Sequence, residues 1–257
     1  GLSVDGGLFL PSSWPSINVS NLRNKSYEEV ALHIINPFIG GEISEEILYE
    51  IILDTYKKFS NDNIAPLITL ENNKHILELF YGPTLAFKDY ALQFLGNIFS
   101  HCMQNLNKKI TVLGATSGDT GSAAIDAFKS KENINVFILH PHNKISEVQR
   151  RQMTTVLDKN IFNIAVKGSF DDCQKIVKDL FVDSSLQDKT SLTSINSINW
   201  ARIMAQTVYY FWAFLQLDED EISFIVPSGN FGNIFSAHVA QHMGLPIKNL
   251  HIATNKN

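Results

Sequence analysis

One lysine and two glycine-rich loops are the residues of this sequence that could do chemistry together. The lysine is Lys88, in the run Tyr81–Asp89. The loops are 116–121, which reads Thr-Ser-Gly-Asp-Thr-Gly, and 227–233, which reads Pro-Ser-Gly-Asn-Phe-Gly-Asn. Each loop ends an apolar run and opens a predicted helix, so its backbone N–H groups can bind an anion. One anion site for a cofactor phosphate, one for a substrate carboxylate and a lysine that forms an imine are what an enzyme using pyridoxal phosphate (PLP) needs.

The neighbours of Lys88 favour a reactive amine. Phe87, Ala86 and Leu85 are apolar, and apolar neighbours disfavour the charged ammonium form of a lysine. An ordinary surface lysine at the start of a helix is the alternative that the local sequence leaves open.

The two loops have no other familiar nucleotide-binding pattern. Loop 116–121 is not a Walker A loop, because no Gly-Lys-Ser/Thr follows, and it lacks the Gly-x-Gly-x-x-Gly spacing of dinucleotide-binding proteins. Each loop alone could be an ordinary glycine-rich turn between a strand and a helix. Ligands of parallel sheets bind at the carboxyl ends of strands, so the pair is more informative than either member.

The elements that must position these residues alternate between strand and helix in the second half of the chain. We predict strands at 8–10, 76–80, 110–113, 135–139, 162–166, 222–226 and 250–253. We predict helices at 26–35 (closed by Pro37), from the N-cap Ser44 to Phe59, and at 90–104, 121–131, 146–157, 170–181, 199–217 and 233–243. The βαβαβα order indicates a parallel sheet with right-handed crossovers, and hence an α/β fold.

Composition excludes several classes of protein. Of 257 residues, 44% are hydrophobic and 18% charged, and the net charge is −5, which fits a globular cytoplasmic protein rather than a disordered or nucleic-acid-binding one. No apolar stretch is long enough to span a membrane. Cys102 and Cys173 lack a metal or redox spacing, and we expect both to be buried, reduced thiols.

The histidines do not indicate a metal site. His238 and His242 have the i, i+4 spacing of zinc proteases, but Val239 stands where those enzymes carry a glutamate. We expect no metal.

The lysine run resembles the cofactor-lysine motif of the threonine synthases, PLP enzymes of the tryptophan-synthase-β fold type. Five further runs resemble the same family and occur in the family's order, and together the six cover nearly the whole chain. They are 3–11, 114–124, 148–149 with 152–155, 196–203 and 227–233.

This resemblance implies the fold and the reaction. The fold would be PLP-dependent fold type II, with parallel sheets flanked by helices and a C-terminal part missing. The reaction would be O-phospho-L-homoserine plus water giving L-threonine plus phosphate. Lys88 would hold the cofactor, leave it when substrate arrives and then move protons at the substrate Cα and Cβ.

The resemblance also implies site residues. The cofactor would be bound by Lys88, Phe87, Asp119, Ser228, Gly229, Asn230, Phe231, Gly232 and Asn233. The substrate would be bound by Thr84, Thr116, Ser117, Thr120, Asn196, Ser197, Asn199 and Arg202, with Arg202 the first candidate for the substrate phosphate. A carboxylate beside the substrate carboxylate would repel it, so Asp119 is expected to accept from backbone N–H groups or to face the cofactor 3′-oxygen.

The resemblance divides the chain into three segments. Residues 1–104 carry the cofactor lysine, 105–198 form a smaller α/β domain, and 199–257 begin the domain that binds the cofactor phosphate. Family members begin earlier and continue further, so we expect a fragment whose partner for the pyridine nitrogen lies beyond the printed residues and which turns over poorly alone. A monomer or homodimer is expected.

Two other functions stay open. Another enzyme of the same fold type, a serine/threonine dehydratase or a cysteine synthase, would share the lysine and both loops. A catalytically silent protein of this fold that only binds a phosphorylated ligand would not need Lys88.

Overall fold

A computed structural model describes residues 7–71, 73–187, 190–195 and 199–256. The described chain separates into two compact units. The first unit contains residues 82–195, and the second contains residues 7–81 and 199–256.

The first unit is an α/β structure that contains Lys88 and loop 116–121. Its helices are α3 (Lys88–Asn105), α4 (Asp119–Phe128), α5 (Glu147–Thr154), α6 (Phe170–Val182) and α7 (Ser184–Gln187), and its strands are β3 (Ile110–Ala115), β4 (Ile134–Pro141), β5 (Ile161–Val166) and β6 (Ser191–Ser194). The strands form a parallel sheet in the order β5-β4-β3-β6.

Helices α3 and α4 pack closely where Gly96 faces the backbone of Ala127. A Cβ at Gly96 would overlap the Ala127 carbonyl oxygen, so only glycine allows this approach. The contact matters for the site because Lys88 is the first residue of α3 and Asp119 the first residue of α4.

The second unit contains loop 227–233 and a largely helical core. Its helices are the 3-10 helix η1 (Val19–Leu22), α1 (Tyr27–Ile39), α2 (Glu45–Tyr56), α8 (Trp200–Leu215) and α9 (Gly232–His242), and its strands are β1 (Leu67–Glu71), β2 (Lys74–Leu77), β7 (Ile222–Pro227) and β8 (Ile247–Ala253). Strands β1 and β2 form an antiparallel hairpin, and β7 pairs with β8 in parallel. Helix α8 packs against α1 and α9 and buries most of its side chains.

The helix starts follow the sequence. Ser26 and Glu29 form a capping box at α1, and Ser44 caps α2 through the backbone N–H of Ile47. The predicted end of α1 at Pro37 is wrong, since the helix runs through the proline to Ile39. A proline near a helix end removes only one backbone hydrogen bond, and Gly40, with a φ of 65°, supplies the actual stop.

Most predicted strands and helices are present, with shifted ends. The predicted strand 76–80 is β2, which begins and ends earlier, and strand 8–10 is reduced to a bridge at one residue. Strands β1 and β6 were not predicted. The parallel strands form two separate sheets rather than one continuous sheet, because β3 pairs with β6 and not with β7 or β8.

The two units divide the chain at places other than the three predicted segments. Lys88 lies in the same unit as loop 116–121, because α3 packs against α4. The assignment of the three segments to functions stays a prediction. In the part of the chain described, no helix is both long and apolar enough to cross a membrane.

Candidate active site

Lys88 begins helix α3, directly after a tight loop. Its side chain is 17% exposed, and its Nζ atom lies 4.6 Å from the centre of the Phe87 ring. Leu85, with a φ of 60°, turns the chain into the helix, and its N–H donates to the Gly82 carbonyl. The lysine is therefore held on a defined backbone, and Phe87 covers one side of its amine.

Asp89 closes the loop that precedes the lysine. Its carboxylate accepts from the N–H of Thr84 at 2.8 Å and from the Thr84 hydroxyl at 2.7 Å. Asp89 is fully buried, and this burial raises the pKa of its carboxyl group, while the hydrogen bonds from Thr84 act in the opposite direction. Thr84, a predicted substrate residue, thus has its hydroxyl engaged by Asp89.

Loop 116–121 is braced from inside by Thr116. The buried Thr116 hydroxyl accepts from the N–H groups of Gly118 (3.0 Å) and Gly121 (2.8 Å) and donates to the Gly118 carbonyl (3.1 Å). Its predicted contact with a substrate carboxylate stays a prediction, although the hydroxyl already serves the loop. The N–H groups of Asp119 and Thr120 lie in the first turn of α4, where the helix itself provides them with no acceptor.

Asp119 is the residue that links this loop to the lysine. Its Oδ2 atom lies 3.1 Å from the Lys88 Nζ atom, and its Oδ1 atom accepts from the side-chain amide of Gln149. Of the two roles expected for Asp119, accepting from backbone N–H groups is wrong, because both carboxylate oxygens accept from side chains, those of Lys88 and Gln149. A contact with the cofactor 3′-oxygen stays a prediction. The local sequence predicted apolar neighbours for Lys88. In the structure the carboxylate of Asp119 also lies beside its amine.

Loop 227–233 follows β7 and opens α9 in the second unit. Phe231 has a φ of 54°, so a residue other than glycine holds the left-handed conformation there. A Cβ added at Gly229 would meet open space. The Ser228 hydroxyl is buried and has no hydrogen-bond partner among the described residues, and a buried hydroxyl without a partner costs free energy. Such a loop can accept a phosphate beside its backbone.

Two tyrosines orient Asn233 at the start of α9. Its Oδ1 atom accepts from the hydroxyls of Tyr209 at 2.5 Å and Tyr210 at 2.7 Å. Burial raises the pKa of Tyr210 far above its usual range, so this phenol is a permanent donor. With its oxygen engaged, Asn233 has its amide N–H groups left to offer an anion.

Arg202 is buried within the second unit. Only 1% of the residue is exposed, and burial lowers the pKa of its guanidinium group to about 10. This burial argues against the predicted role of Arg202 in meeting the substrate phosphate, since the guanidinium is covered by the protein. Asn199 caps α8 by accepting from the N–H of Ala201, whereas the predicted residues Asn196 and Ser197 lie outside the described residues.

The remaining candidate ligands do not form a site. His238 and His242 pack ring against ring, with centroids 4.2 Å apart, and burial lowers the pKa of His238. No group of three metal-ligating side chains occurs among the described residues. Cys173 is buried as expected, but Cys102 is partly exposed, so that part of the cysteine prediction is wrong.

Comparison with known families identifies the kind of protein that carries this geometry. Residues 65–251 match the family described as pyridoxal-phosphate dependent enzyme, and residues 1–56 match the family described as threonine synthase N terminus. The chain belongs to the pyridoxal-phosphate dependent enzymes. Its fold is therefore the predicted one, an α/β fold in which parallel sheets are flanked by helices.

Threonine synthases are among the relatives most similar to this family member. The chain is 49% identical to the threonine synthase of Pseudomonas aeruginosa and 46% identical to that of Saccharomyces cerevisiae, with all of this chain and 56% and 54% of those proteins covered. The crystal structure of PLP-bound threonine synthase from Brucella melitensis is 48% identical, with a TM-score of 0.94 over 99% of this chain and 56% of that one. The chain thus spans about half the length of these relatives.

The residues present fit the cofactor of the family. In the first unit, Lys88 offers an amine beside a carboxylate, and in the second unit Ser228 offers an unused buried donor next to the open backbone at Gly229. Five residues that support the site were not predicted as site residues: Asp89, Gln149, Gln152, Tyr209 and Tyr210. Asp89, Gln149 and Gln152 lie within runs quoted for the resemblance, and this was the signal available in the sequence. Their hydrogen-bond partners are determined by the fold.

Proposed function

We propose that this chain carries the cofactor lysine and the cofactor-phosphate loop of a threonine synthase. That enzyme converts O-phospho-L-homoserine and water into L-threonine and phosphate. One observation carries the proposal: Lys88 begins α3 with its ammonium 3.1 Å from Asp119, in a chain 49% identical to a threonine synthase.

Lys88 is the residue that would hold PLP covalently. When bound, the cofactor would supply an electron sink for the negative charge that develops on the substrate. The Lys88 amine is the group placed to take and return protons at the substrate Cα and Cβ, because Asp119 holds it at the mouth of loop 116–121.

The cofactor phosphate is assigned to loop 227–233 and the first turn of α9. The N–H groups of Asn233 and Ile234 lie in the first turn of α9, where the positive end of the helix dipole favours an anion. The Ser228 hydroxyl and the Asn233 amide add donors, while Gly229, Asn230, Phe231 and Gly232 supply the backbone that approaches the phosphate. Four donors on one loop match a phosphate better than a carboxylate, which has fewer oxygens to satisfy.

The substrate carboxylate is assigned to loop 116–121. Ser117 is exposed, and Thr120 lies in the first turn of α4 beside two N–H groups that the helix leaves unbonded. Asp119 turns its oxygens toward Lys88 and Gln149 and therefore away from the role of substrate ligand; a contact with the cofactor 3′-oxygen remains its proposed role.

The substrate-phosphate site is left with fewer candidates than expected. Arg202 is too deeply buried to be proposed for it, and Asn199 has its side-chain oxygen on the cap of α8.

A cytoplasmic enzyme that acts on a small molecule, as a monomer or homodimer, remains part of the proposal.

Reduction with borohydride tests the cofactor role of Lys88. The protein incubated with PLP should show a visible absorption band that is lost on reduction, and peptide mapping should place the pyridoxyl group on Lys88. Lys88→Ala is the control and should take up no label at this peptide. A label confined to other lysines would refute the assignment.

Product analysis separates the proposed reaction from its relatives. Phosphate and threonine should be released in equal amounts from O-phospho-L-homoserine by the full-length enzyme, and Lys88→Ala should release neither. Turnover of serine or threonine to a keto acid would favour a dehydratase. Turnover of O-acetylserine with sulfide would favour a cysteine synthase. Absence of the pyridoxyl label at Lys88, together with no turnover of any of these substrates, would favour the silent protein.

A further inference from the structure

Gln149 donates a hydrogen bond to the carboxylate oxygen of Asp119 that does not contact Lys88. The amide nitrogen of Gln149 donates to Asp119 Oδ1, and Lys88 Nζ lies 3.1 Å from Asp119 Oδ2. These are the two side-chain donors that the carboxylate has among the described residues. Since the Asp119 side chain is 47% exposed, solvent would compete for a carboxylate held from one side only.

The direction of the Gln149 amide is itself fixed. Ser146 caps α5 by accepting from the backbone N–H of Gln149, and its hydroxyl donates to Gln149 Oε1 at 2.9 Å. Because the amide oxygen is engaged on this side, the amide N–H₂ group must point the other way, toward Asp119.

Gly118 leaves the space that Gln149 occupies. Its φ is +148°, and a Cβ at this position would overlap the amide group of Gln149. The glycine is therefore required by the backbone conformation and by the side chain that crosses it.

A second glutamine ties the same helix to the loop before the lysine. Gln152, one turn after Gln149 on α5, donates from its Nε2 atom to the Thr84 carbonyl at 3.1 Å. Met153, between Gln152 and the end of the helix, is fully buried. Helix α5 thus contacts both segments that define the surroundings of Lys88, through residues that carry no charge.

We propose that Gln149 is a positioning residue for Lys88 and acts through Asp119. Its amide keeps the carboxylate turned so that Oδ2 stays on the lysine ammonium. This deepens the proposed function and rests on it for its purpose: Lys88 would have its amine held in one place, ready to bind the cofactor.

The arrangement predicts how freely the amine reacts. A carboxylate beside an amine covers it and repels an anionic reagent such as trinitrobenzenesulfonate. Freed from Gln149, the Asp119 side chain turns to solvent and shields the Lys88 amine less. The arylation rate of Lys88 should then rise.

The test compares four variants with the parent protein in the absence of PLP: Gln149→Met, Asp119→Ala, the double variant and Val148→Ala. Trinitrobenzenesulfonate is the probe, and peptide mapping measures arylation at Lys88. Gln149→Met and Asp119→Ala should each raise the rate by about twofold to fivefold, the range for partly exposed ion pairs. The double variant should match Asp119→Ala, because a residue that acts only through Asp119 has no further effect once Asp119 is gone.

Val148→Ala is the matched control on α5, since the Val148 side chain is exposed, and its rate should equal that of the parent. An unchanged rate in Gln149→Met would overturn the proposal, and so would an effect of Gln149→Met that persists in the Asp119→Ala background. If thermal unfolding shows that Gln149→Met does not fold, Ser146→Ala removes the group that orients the amide and should give the same pattern.

The probe needs no cofactor, so the outcome is independent of the proposed function. Absence of borohydride labelling at Lys88 would refute the PLP role and leave the Gln149 result standing.

Discussion

The carboxylate of Asp89 accepts two hydrogen bonds from one residue, Thr84, at its N–H (2.8 Å) and at its hydroxyl (2.7 Å). The two residues are five positions apart across the start of α3, and Lys88 lies between them. A Cβ at Gly82 would collide with the Asp89 side chain, so the Gly82 backbone packs directly against Asp89 where the loop closes.

Replacement of Asp89 by alanine should therefore destabilise the protein. Asp89→Ala leaves two buried donors of Thr84 without an acceptor, which costs about 2–4 kcal/mol in the free energy of unfolding. Chemical denaturation measures this loss. Thr84→Val, which removes the hydroxyl and keeps the N–H bond, should cost about half as much; equal losses in the two variants would contradict the double role of Asp89.

Acid should weaken α5 through Glu147. Hydrogen bonds from Arg150 and Arg151 lower the pKa of Glu147 from 4.5 to about 2 in the folded protein. A carboxyl group with a depressed folded-state pKa contributes stability above its unfolded pKa, and loses that contribution as the pH falls toward the folded value. Stability should thus fall between pH 4.5 and about 2, by a small amount because all three side chains are largely exposed.

Thermal unfolding across this pH range tests the role of Glu147. Glu147→Gln should be less stable than the parent near neutral pH, and the difference should shrink as the pH falls. Val148→Ala, at an exposed position of the same helix, is the matched control and should keep a constant difference. Parallel curves for Glu147→Gln and the parent would rule out this contribution.

The two tyrosines behind Asn233 should affect PLP affinity without touching the cofactor. Tyr210→Phe removes one of the donors that fix the Asn233 amide, and a lost hydrogen bond of this kind weakens binding by about twofold to tenfold. Gly232→Asp, which adds bulk and negative charge in the first turn of α9, should weaken PLP binding further. Equilibrium titration with PLP measures both, and Tyr49→Phe on α2 serves as the control. Unchanged affinity in Gly232→Asp would count against the phosphate assignment of this loop.

Arg202 should act on stability rather than on substrate use. Arg202→Ala removes a large, fully enclosed side chain and should lower the free energy of unfolding by about 2–5 kcal/mol, while the PLP bound per folded protein stays the same. Denaturation and PLP titration check the two parts separately. A variant of full stability that has lost only its affinity for O-phospho-L-homoserine would restore the substrate-phosphate role that the resemblance implied.

The sequence predicted elements where periodicity and capping agree, and failed where tertiary pairing decides. Helix α2 begins as Ser44 and its two glutamates indicate. Strand β6 is four residues long and contains three hydroxyl side chains, so it has no apolar pattern; it exists because it pairs with β3. The partition of the strands into two sheets is likewise a property of pairing, and no local signal carries it.

The candidate site shows the same boundary between local and distant information. Lys88 and the two loops are local motifs, and these could be read directly. The partners of Asp119 are Lys88 on α3 and Gln149 on α5, each about 30 positions away along the chain. Local sequence patterns do not show which distant residues the fold brings together, and the predicted backbone partners are therefore wrong.

The geometry of the ion pair between Lys88 and Asp119 depends on the close contact between Gly96 and Ala127, farther along the same two helices. Where α3 and α4 meet, no side chain separates Gly96 from the Ala127 backbone, so the two helices cannot slide past one another or change their spacing without breaking that contact. Their first residues are Lys88 and Asp119, and Gly96 lies eight residues from Lys88, about 12 Å along the helix axis. The contact therefore joins the middle of α3 to the last turn of α4, and a single methyl group added at Gly96 would change the distance between the Lys88 amine and the Asp119 carboxylate at the first residues of the two helices.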